Sequence, residues 1–178
     1  DLSSPALSGV YNTPGTAQDV IISPDGNTAF VADNAGGLQI IDVSNTTNPS
    51  LISSLGAYTS AYDIDVSADG NFVYIADQVL GLGVVSVEDI SNPISRATLA
   101  TDGFASGVKL SNNGQKAYLA DFNSGVQIFD LTNPDAPIKV GSFDTSVSSY
   151  KIDVSNDGEK IYVADSTGLK VLDVRTPA

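Results

Sequence analysis

The sequence repeats itself at a fixed step of 44 residues. A four-residue phrase of an aromatic residue, an aliphatic residue, Ala and Asp occurs four times, and it ends at Asp33, Asp77, Asp121 and Asp165. A Gly in the preceding turn recurs at the same step. Self-similarity at a period of about 40 to 45 residues is typical of propeller blades. Residues that recur in every unit are therefore expected to serve the scaffold.

The second unit, residues 60–99, shows what one repeat contains. Residues 62–67 alternate polar and apolar side chains, as a half-buried strand does, and a turn follows at Gly70. Residues 72–77 are rich in β-branched and aromatic side chains, and two further strand-like segments follow at 83–87 and 95–99. Four short antiparallel strands per unit predict an all-β chain built of propeller blades.

The two ends of the chain predict how these blades are arranged. The last unit stops after its third strand, and Pro5 stands 44 residues before Pro49, which precedes the fourth strand of the first unit. We therefore predict a single domain over residues 1–178, a four-bladed β-propeller closed by the N-terminal strand. The predicted blades are residues 16–55, 60–99, 104–143, and 148–176 plus 5–11. The alternative is a half-ring that dimerises to eight blades. Because the first residue is Asp1 and not Met, we also expect a segment processed from a longer precursor.

Composition narrows the function classes. The net charge is −13, from 21 acidic and 8 basic residues, which disfavours nucleic acid and anionic membranes as partners. No run approaches the roughly 18 apolar residues of a membrane span, so no membrane insertion is expected. Cys and His are absent, which removes disulfides, thiol chemistry and imidazole catalysis. We expect no enzyme and no cofactor.

Residues 37–49 and 126–137, each running from a Val-Gln-Ile-like strand to a Pro, resemble the LVIVD repeat of bacterial and archaeal surface proteins. The Ser-Pro-Asp-Gly turn at 23–26, followed by the phrase at 30–33, is similar to YVTN-type propeller repeats. The resemblance implies a propeller in an extracellular or cell-surface protein, and it supplies no catalytic residue.

Positions that break the repeat are better candidates for function than those that keep it. The first set lies at the start of the predicted innermost strands, where side chains should face the ring axis, and both signs of charge occur there. We predict internal ion pairs among them, with a bound ion or ligand as the alternative. These channel charges are Asp19, Asp63, Asp65, Lys109, Lys151 and Asp153.

The second set lies where the loops enter the innermost strands, at the predicted mouth of the channel. Tyr and Phe side chains beside carboxylates suit a sugar or a peptide, although Tyr62 and Tyr150 could instead pack between blades. The candidate ligand-binding residues are Gln18, Tyr58, Tyr62, Phe104 and Tyr150.

Two carboxylate patterns have simpler explanations. The Asp that ends each repeated phrase is expected to accept hydrogen bonds from backbone amides at a turn. Residues 65–70 and 153–158 read as Asp-x-Ser-x-Asp-Gly, like the start of a calcium loop, but the twelfth position is Ala76 or Ala164 and no metal site is predicted.

These observations predict a non-catalytic extracellular binding or scaffolding module with a protein or glycan partner. A carbohydrate- or peptide-binding propeller using the Tyr-lined mouth is one alternative. The other is a self-associating subunit of an extracellular filament or layer.

Overall fold

The structure, a computed structural model, describes residues 3–175. Within that range the chain forms fifteen β-strands in four antiparallel sheets, each with its strands in sequence order. We call these sheets blades 1 to 4. No helix in this range has the length and apolar character needed to cross a membrane.

The strand bounds follow the 44-residue step closely. Blade 1 contains β1 (Asp19–Ile22), β2 (Thr28–Ala32), β3 (Leu38–Asp42) and β4 (Ser50–Leu55). Blade 2 contains β5 (Ala61–Val66), β6 (Phe72–Asp77), β7 (Gly81–Ser86) and β8 (Ile94–Leu99). Blade 3 contains β9 (Gly107–Leu110), β10 (Lys116–Ala120), β11 (Val126–Asp130) and β12 (Ile138–Phe143). Blade 4 contains β13 (Ser149–Val154), β14 (Lys160–Asp165) and β15 (Gly168–Asp173).

The turn between the first two strands of each blade is the one expected from the sequence. Gly26, Gly70, Gly114 and Gly158 all have φ between 69° and 80°, a left-handed conformation in which a side chain is strained. In blade 1 the Gly26 amide donates to the Ser23 carbonyl at 2.9 Å and closes the turn. The repeat therefore encodes one hairpin four times.

The core lies between the blades, because successive sheets bury their facing side chains against one another. Phe30, Leu38 and Ile40 of blade 1 pack against Ile64 and Val73 of blade 2. Equivalent clusters join blade 2 to blade 3 and blade 3 to blade 4. The innermost strands β1, β5, β9 and β13 are successive neighbours, and this radial order is that of a propeller.

The predicted pairing of residues 5–11 with the last blade is wrong for this structure. Among the described residues blade 4 has three strands, and residues 5–11 join none of the four sheets. This segment instead lies against the outer face of blade 1, where Tyr11 packs on Ala29 and Ile41. This apolar contact holds the segment on blade 1, and β15 lies in blade 4 at the other end of the row of four blades. The last predicted position of blade 4, residue 176, lies outside the described residues.

Candidate functional site

The channel charges lie on the four innermost strands, where all of them except Asp65 line one groove, and Asp65 joins them through Lys109. Asp63 is buried and forms an ion pair with Lys151, which reaches it from blade 4. The other carboxylate oxygen of Asp63 accepts the Val108 amide of blade 3 at 2.7 Å. One carboxylate thus ties blade 2 to both following blades.

A second ion pair lies two residues further along the innermost strands. Lys109 Nζ is 3.2 Å from Asp65 Oδ2, and the same oxygen accepts the Leu110 amide at 2.9 Å. The predicted internal ion pairs are therefore present, and neither of these two pairs includes Asp19. Asp19 instead accepts the Ile64 amide of blade 2 at 3.2 Å.

Gly107 makes the long reach of Lys151 possible. A Cβ at Gly107 would lie 3.0 Å from Lys151 Cα and 3.0 Å from the Tyr150 carbonyl oxygen. Because β9 has no side chain at this position, β13 approaches closely and Lys151 crosses to Asp63. The break in the repeat at Gly107 is thus part of the same charge arrangement.

The groove also perturbs Asp63 itself. Burial raises the pKa of Asp63 to about 7, and a hydrogen bond shared with Asp19 adds to this effect. Lys151 and the Val108 amide act in the opposite direction because both stabilise the charged form. The innermost strands consequently hold a carboxyl group that titrates close to neutral pH.

Aromatic side chains gather at the end of the groove where the loops enter β9 and β13. The rings of Phe104 and Phe122 lie 6.2 Å apart at 69°, and those of Phe122 and Tyr150 lie 5.6 Å apart at 64°. Both pairs have the edge-to-face geometry that aromatic rings prefer. Phe104 and Tyr150 remain exposed, so this aromatic cluster (Phe104, Phe122 and Tyr150) presents ring surface to solvent.

A cavity of about 350 Å³ adjoins the aromatic cluster. Its wall brings together two of the predicted ligand residues, Tyr62 and Tyr150, from blades 2 and 4. The complete lining is Tyr62, Gln78, Ser106, Phe122, Tyr150 and Lys151. The site therefore combines aromatic surface with an amide, a hydroxyl and one cation that is already paired with Asp63.

Three predicted ligand residues do not line this cavity, and one of them, Phe104, lies beside it in the aromatic cluster. Tyr58 is fully buried between blades 1 and 2, and its hydroxyl lies 2.8 Å from Ser95 Oγ, so its prediction as a ligand contact is wrong. It was misplaced because the sequence cannot show that Gly83 leaves room for its ring. Gln18 is exposed, but it does not line the cavity beside Tyr62 and Tyr150.

Phe122 is the aromatic member of the site that the sequence reasoning missed, along with the polar residues Gln78 and Ser106. It follows Asp121 directly, and the equivalent positions hold Asn34, Gln78 and Ser166. Phe122 therefore breaks the repeat, and that break was the available signal. Its backbone has φ of 41°, and its carbonyl accepts the Ser149 amide of blade 4 at 3.0 Å. This bridge fixes the ring at the junction of blades 3 and 4.

The repeated Asp residues have the structural role expected of them. Asp121 is fully buried and accepts Thr101 Oγ1 at 2.7 Å and the Gly103 amide at 3.1 Å. Asp33 accepts equivalent bonds from Thr13 and Gly15. Asp33, Asp77 and Asp121 thus hold the loops that enter blades 1, 2 and 3, whereas Asp165 accepts the Thr167 and Gly168 amides of its own β14–β15 turn.

In the Asp-x-Ser-x-Asp-Gly segment at 65–70 the two carboxylates have different partners. Asp69 accepts Ser67 Oγ at 2.6 Å and the Asn71 amide at 3.0 Å within its turn, whereas Asp65 belongs to the groove. Residues 3–175 contain no group of three or more acidic side chains placed to hold a metal ion together.

The radial sheets and the repeating blades define the chain as a β-propeller protein. More specifically, it belongs to the LVIVD repeat family, whose model matches residues 14–56, 61–100 and 102–145. The resemblance seen in the sequence is thereby confirmed. No curated protein matches the chain significantly.

Solved structures of low sequence identity share the fold. Hydrazine synthase of Kuenenia stuttgartiensis is 21% identical with a TM-score of 0.76, over 93% of this chain and 48% of that one. A functionally unknown protein of Desulfotomaculum acetoxidans is 19% identical with a TM-score of 0.76, over 89% and 52%. A protein proposed to be a 6-phosphogluconolactonase, from Bacteroides uniformis, is 20% identical with a TM-score of 0.77, over 88% and 50%. The chain thus spans about half the length of these structures.

These neighbours overturn the expectation that the chain is not an enzyme. That expectation relied on the absence of His and Cys and on a repeat without catalytic residues. The solved propellers that share the fold include hydrazine synthase and the proposed lactonase, so this architecture is compatible with catalysis.

Proposed function

We propose that the chain is a binding and scaffolding module of a secreted or cell-surface protein. Membership of the LVIVD repeat family supports this proposal, because the repeat resembles those of bacterial and archaeal surface proteins. The net charge of −13 supports a protein or glycan partner over nucleic acid or an anionic membrane surface.

The aromatic cluster and its cavity carry the proposal. Exposing aromatic rings to water is normally unfavourable in free energy. Phe104 and Tyr150 are exposed in this way, and they lie next to a concave surface lined by Gln78 and Ser106. A sugar presents C–H faces that stack on such rings and hydroxyls that bond to amide and hydroxyl groups. An extended peptide with an apolar side chain fits the same surface. We therefore place the binding site at the mouth of the groove.

Glycan and peptide arrays test this assignment. The wild-type protein is expected to retain ligands that Phe104→Ala and Tyr150→Ala bind about fivefold more weakly, because each variant loses stacking area worth about 1 kcal/mol. Phe143→Ala is the matched control, since Phe143 is comparably exposed but lies on the outermost strand β12. Equal binding by all four proteins would refute the mouth as the binding site.

We also propose that the four blades form half of a ring and that two copies complete an eight-bladed propeller. The open fourth sheet supports this, and so does the match to about half the length of solved propellers at TM-scores of 0.76 to 0.77. A closed four-bladed ring would need β13 to meet β1 as β5 meets β9. The strands described here show no comparable contact between β13 and β1.

Solution mass separates the assembly states. The chain has a mass of 18.3 kDa, so the half-ring predicts a species of twice that mass that persists on dilution. A constant 18.3 kDa would indicate the closed monomer and refute the half-ring. Growth of the mass with concentration, without a limit, would instead support the filament or layer subunit.

A further inference from the structure

The outer face of blade 4 has the composition of a blade-to-blade contact but is open to solvent. Tyr162 is 37% exposed, Leu169 68% and Val171 50%. The equivalent residues of the preceding blades face the next blade and, apart from the partly buried Ile128, are at most 3% exposed. These equivalents are Phe30, Tyr74 and Tyr118; Leu38, Leu82 and Val126; Ile40 and Val84. The face is therefore built to receive a fifth blade.

Blade 1, at the other end of the row of four blades, also has apolar side chains that are open to solvent. Val20 is 58% exposed and Ile22 47%, whereas Ile64 and Val108, the equivalents of Val20, are 4% and 3% exposed. Residues 5–11 cover part of this end. They lie where the fourth strand of a preceding blade would lie, with Tyr11 packed on the sheet as Leu55 packs between blades 1 and 2. Blade 1 thus holds against its face a segment that belongs to no sheet among the described residues.

A series of carboxylate bonds gives the register of the missing contact. Asp19 accepts the Ile64 amide, Asp63 the Val108 amide and Asp65 the Leu110 amide. In each bond the donor follows the acceptor by 45 residues, so one blade always bonds to the next.

Asp153 repeats Asp65 two blades later. Each carboxylate accepts the amide of its own following residue through Oδ1 at 2.9 Å, which holds Oδ2 of Asp65 towards the next blade. Asp153 faces no further blade within residues 3–175. The residue of blade 1 that corresponds to Leu110 is Ile22.

We propose that a second copy of this chain occupies both open ends. In this assembly residues 6–11 of one copy form the fourth strand of blade 4 of the other, and Asp153 accepts the Ile22 amide across the same seam. This inference rests on the proposed half-ring and specifies the elements that join it. Because each copy has one open end of each kind, a two-fold axis satisfies both seams at once and the ring closes. The pairing also covers the exposed edge of β15, which would otherwise recruit other chains.

The register of the new strand pair follows from blade 1. There β3 pairs with β4 through Leu38 with Leu55 and Gln39 with Ser54. The repeat step converts the second pair into Lys170 with Val10. These two residues are expected to be cross-strand neighbours between the two copies, with Cβ atoms about 4.5 to 5.5 Å apart.

The absence of Cys from the chain allows a direct test. Val10→Cys combined with Lys170→Cys, under mild oxidation, is expected to give a covalent dimer on a denaturing gel without reductant. Val79→Cys combined with Lys170→Cys is the control, because Val79 is 70% exposed but lies in a loop of blade 2 away from either seam. It should give no specific dimer.

The other outcomes overturn the proposal in distinguishable ways. An internal disulfide within one monomer would show that residues 6–11 close their own ring. A stable non-covalent dimer that does not cross-link would retain the half-ring but reject this seam. As a second measurement, Asp153→Ala should weaken the dimer by about tenfold or more, whereas Asp135→Ala, on the outer rim, should not. Equal dissociation constants would reject the Asp153 contact.

Discussion

Tyr58 and Gly83 should behave as one packing unit, and a double-mutant cycle can show it. The Tyr58 ring is fully buried, and a Cβ on Gly83 would overlap Cε1 and lie 2.7 Å from Cζ. Tyr58→Ala should therefore lower the free energy of unfolding by about 3–5 kcal/mol, as large aromatic truncations do. Gly83→Ala should cost about 1–3 kcal/mol because the ring cannot move without opening the core.

The two changes together should cost less than their sum. Once the Tyr58 ring is gone, the Cβ at position 83 enters vacant space, and replacing Gly by Ala in a strand favours folding by roughly 0.5–1 kcal/mol. The double variant should therefore lose about 2 kcal/mol or more less free energy of unfolding than the sum of the two single losses. Urea unfolding followed by far-UV circular dichroism measures all four corners of the cycle.

Tyr58→Phe is the matched control for this cycle. It removes only the hydroxyl, which bonds to Ser95, at a cost of about 1 kcal/mol, and leaves the ring above Gly83. Gly83→Ala should therefore remain as costly in the Tyr58→Phe background as in the wild type. If Gly83→Ala costs the same in the Tyr58→Ala background too, the ring does not occupy the space that the glycine provides. That result would refute the reassignment of Tyr58 from the site to the core.

Two further predictions concern single carboxylates. Because burial raises the pKa of Asp63 to about 7, the folded state keeps a proton that the unfolded state releases near pH 4. The free energy of unfolding should thus fall as pH rises from about 4 to 7, and thermal melts across that window should show a flatter profile for Asp63→Asn; equal slopes would contradict the shift. Asp121→Ala should lower the free energy of unfolding in urea by about 2–3 kcal/mol, because Thr101 and Gly103 lose a buried acceptor. The control is Asp25→Ala in an exposed turn, which should lower the free energy of unfolding by less. Equal losses for the two variants would argue against a structural role for Asp121.

Much of the candidate site could be predicted, and for one reason. In a regular repeat, a position that departs from its equivalents has a local cause, and the breaks at Gly107, Lys109 and Lys151 all belong to the charge arrangement of the groove. Phe122 obeyed the same rule and was missed because it follows a scaffold Asp. The prediction of Tyr58 as a ligand contact was wrong for a different reason. Its burial depends on Gly83, which lies on the separate strand β7.

The amino-acid sequence by itself determined the blade: its strand order, its turns and the role of its repeated Asp residues. Those features depend on contacts within about 44 residues, and the repeat presents them four times. Only the tertiary structure decided what happens between blades. The angle at which one sheet packs on the next is set by buried side chains such as Phe30 and Tyr58, and no local pattern records that angle. The same 5–11 segment that the repeat assigns to the last blade therefore lies on the first, because the arc of four blades ends before its two faces meet.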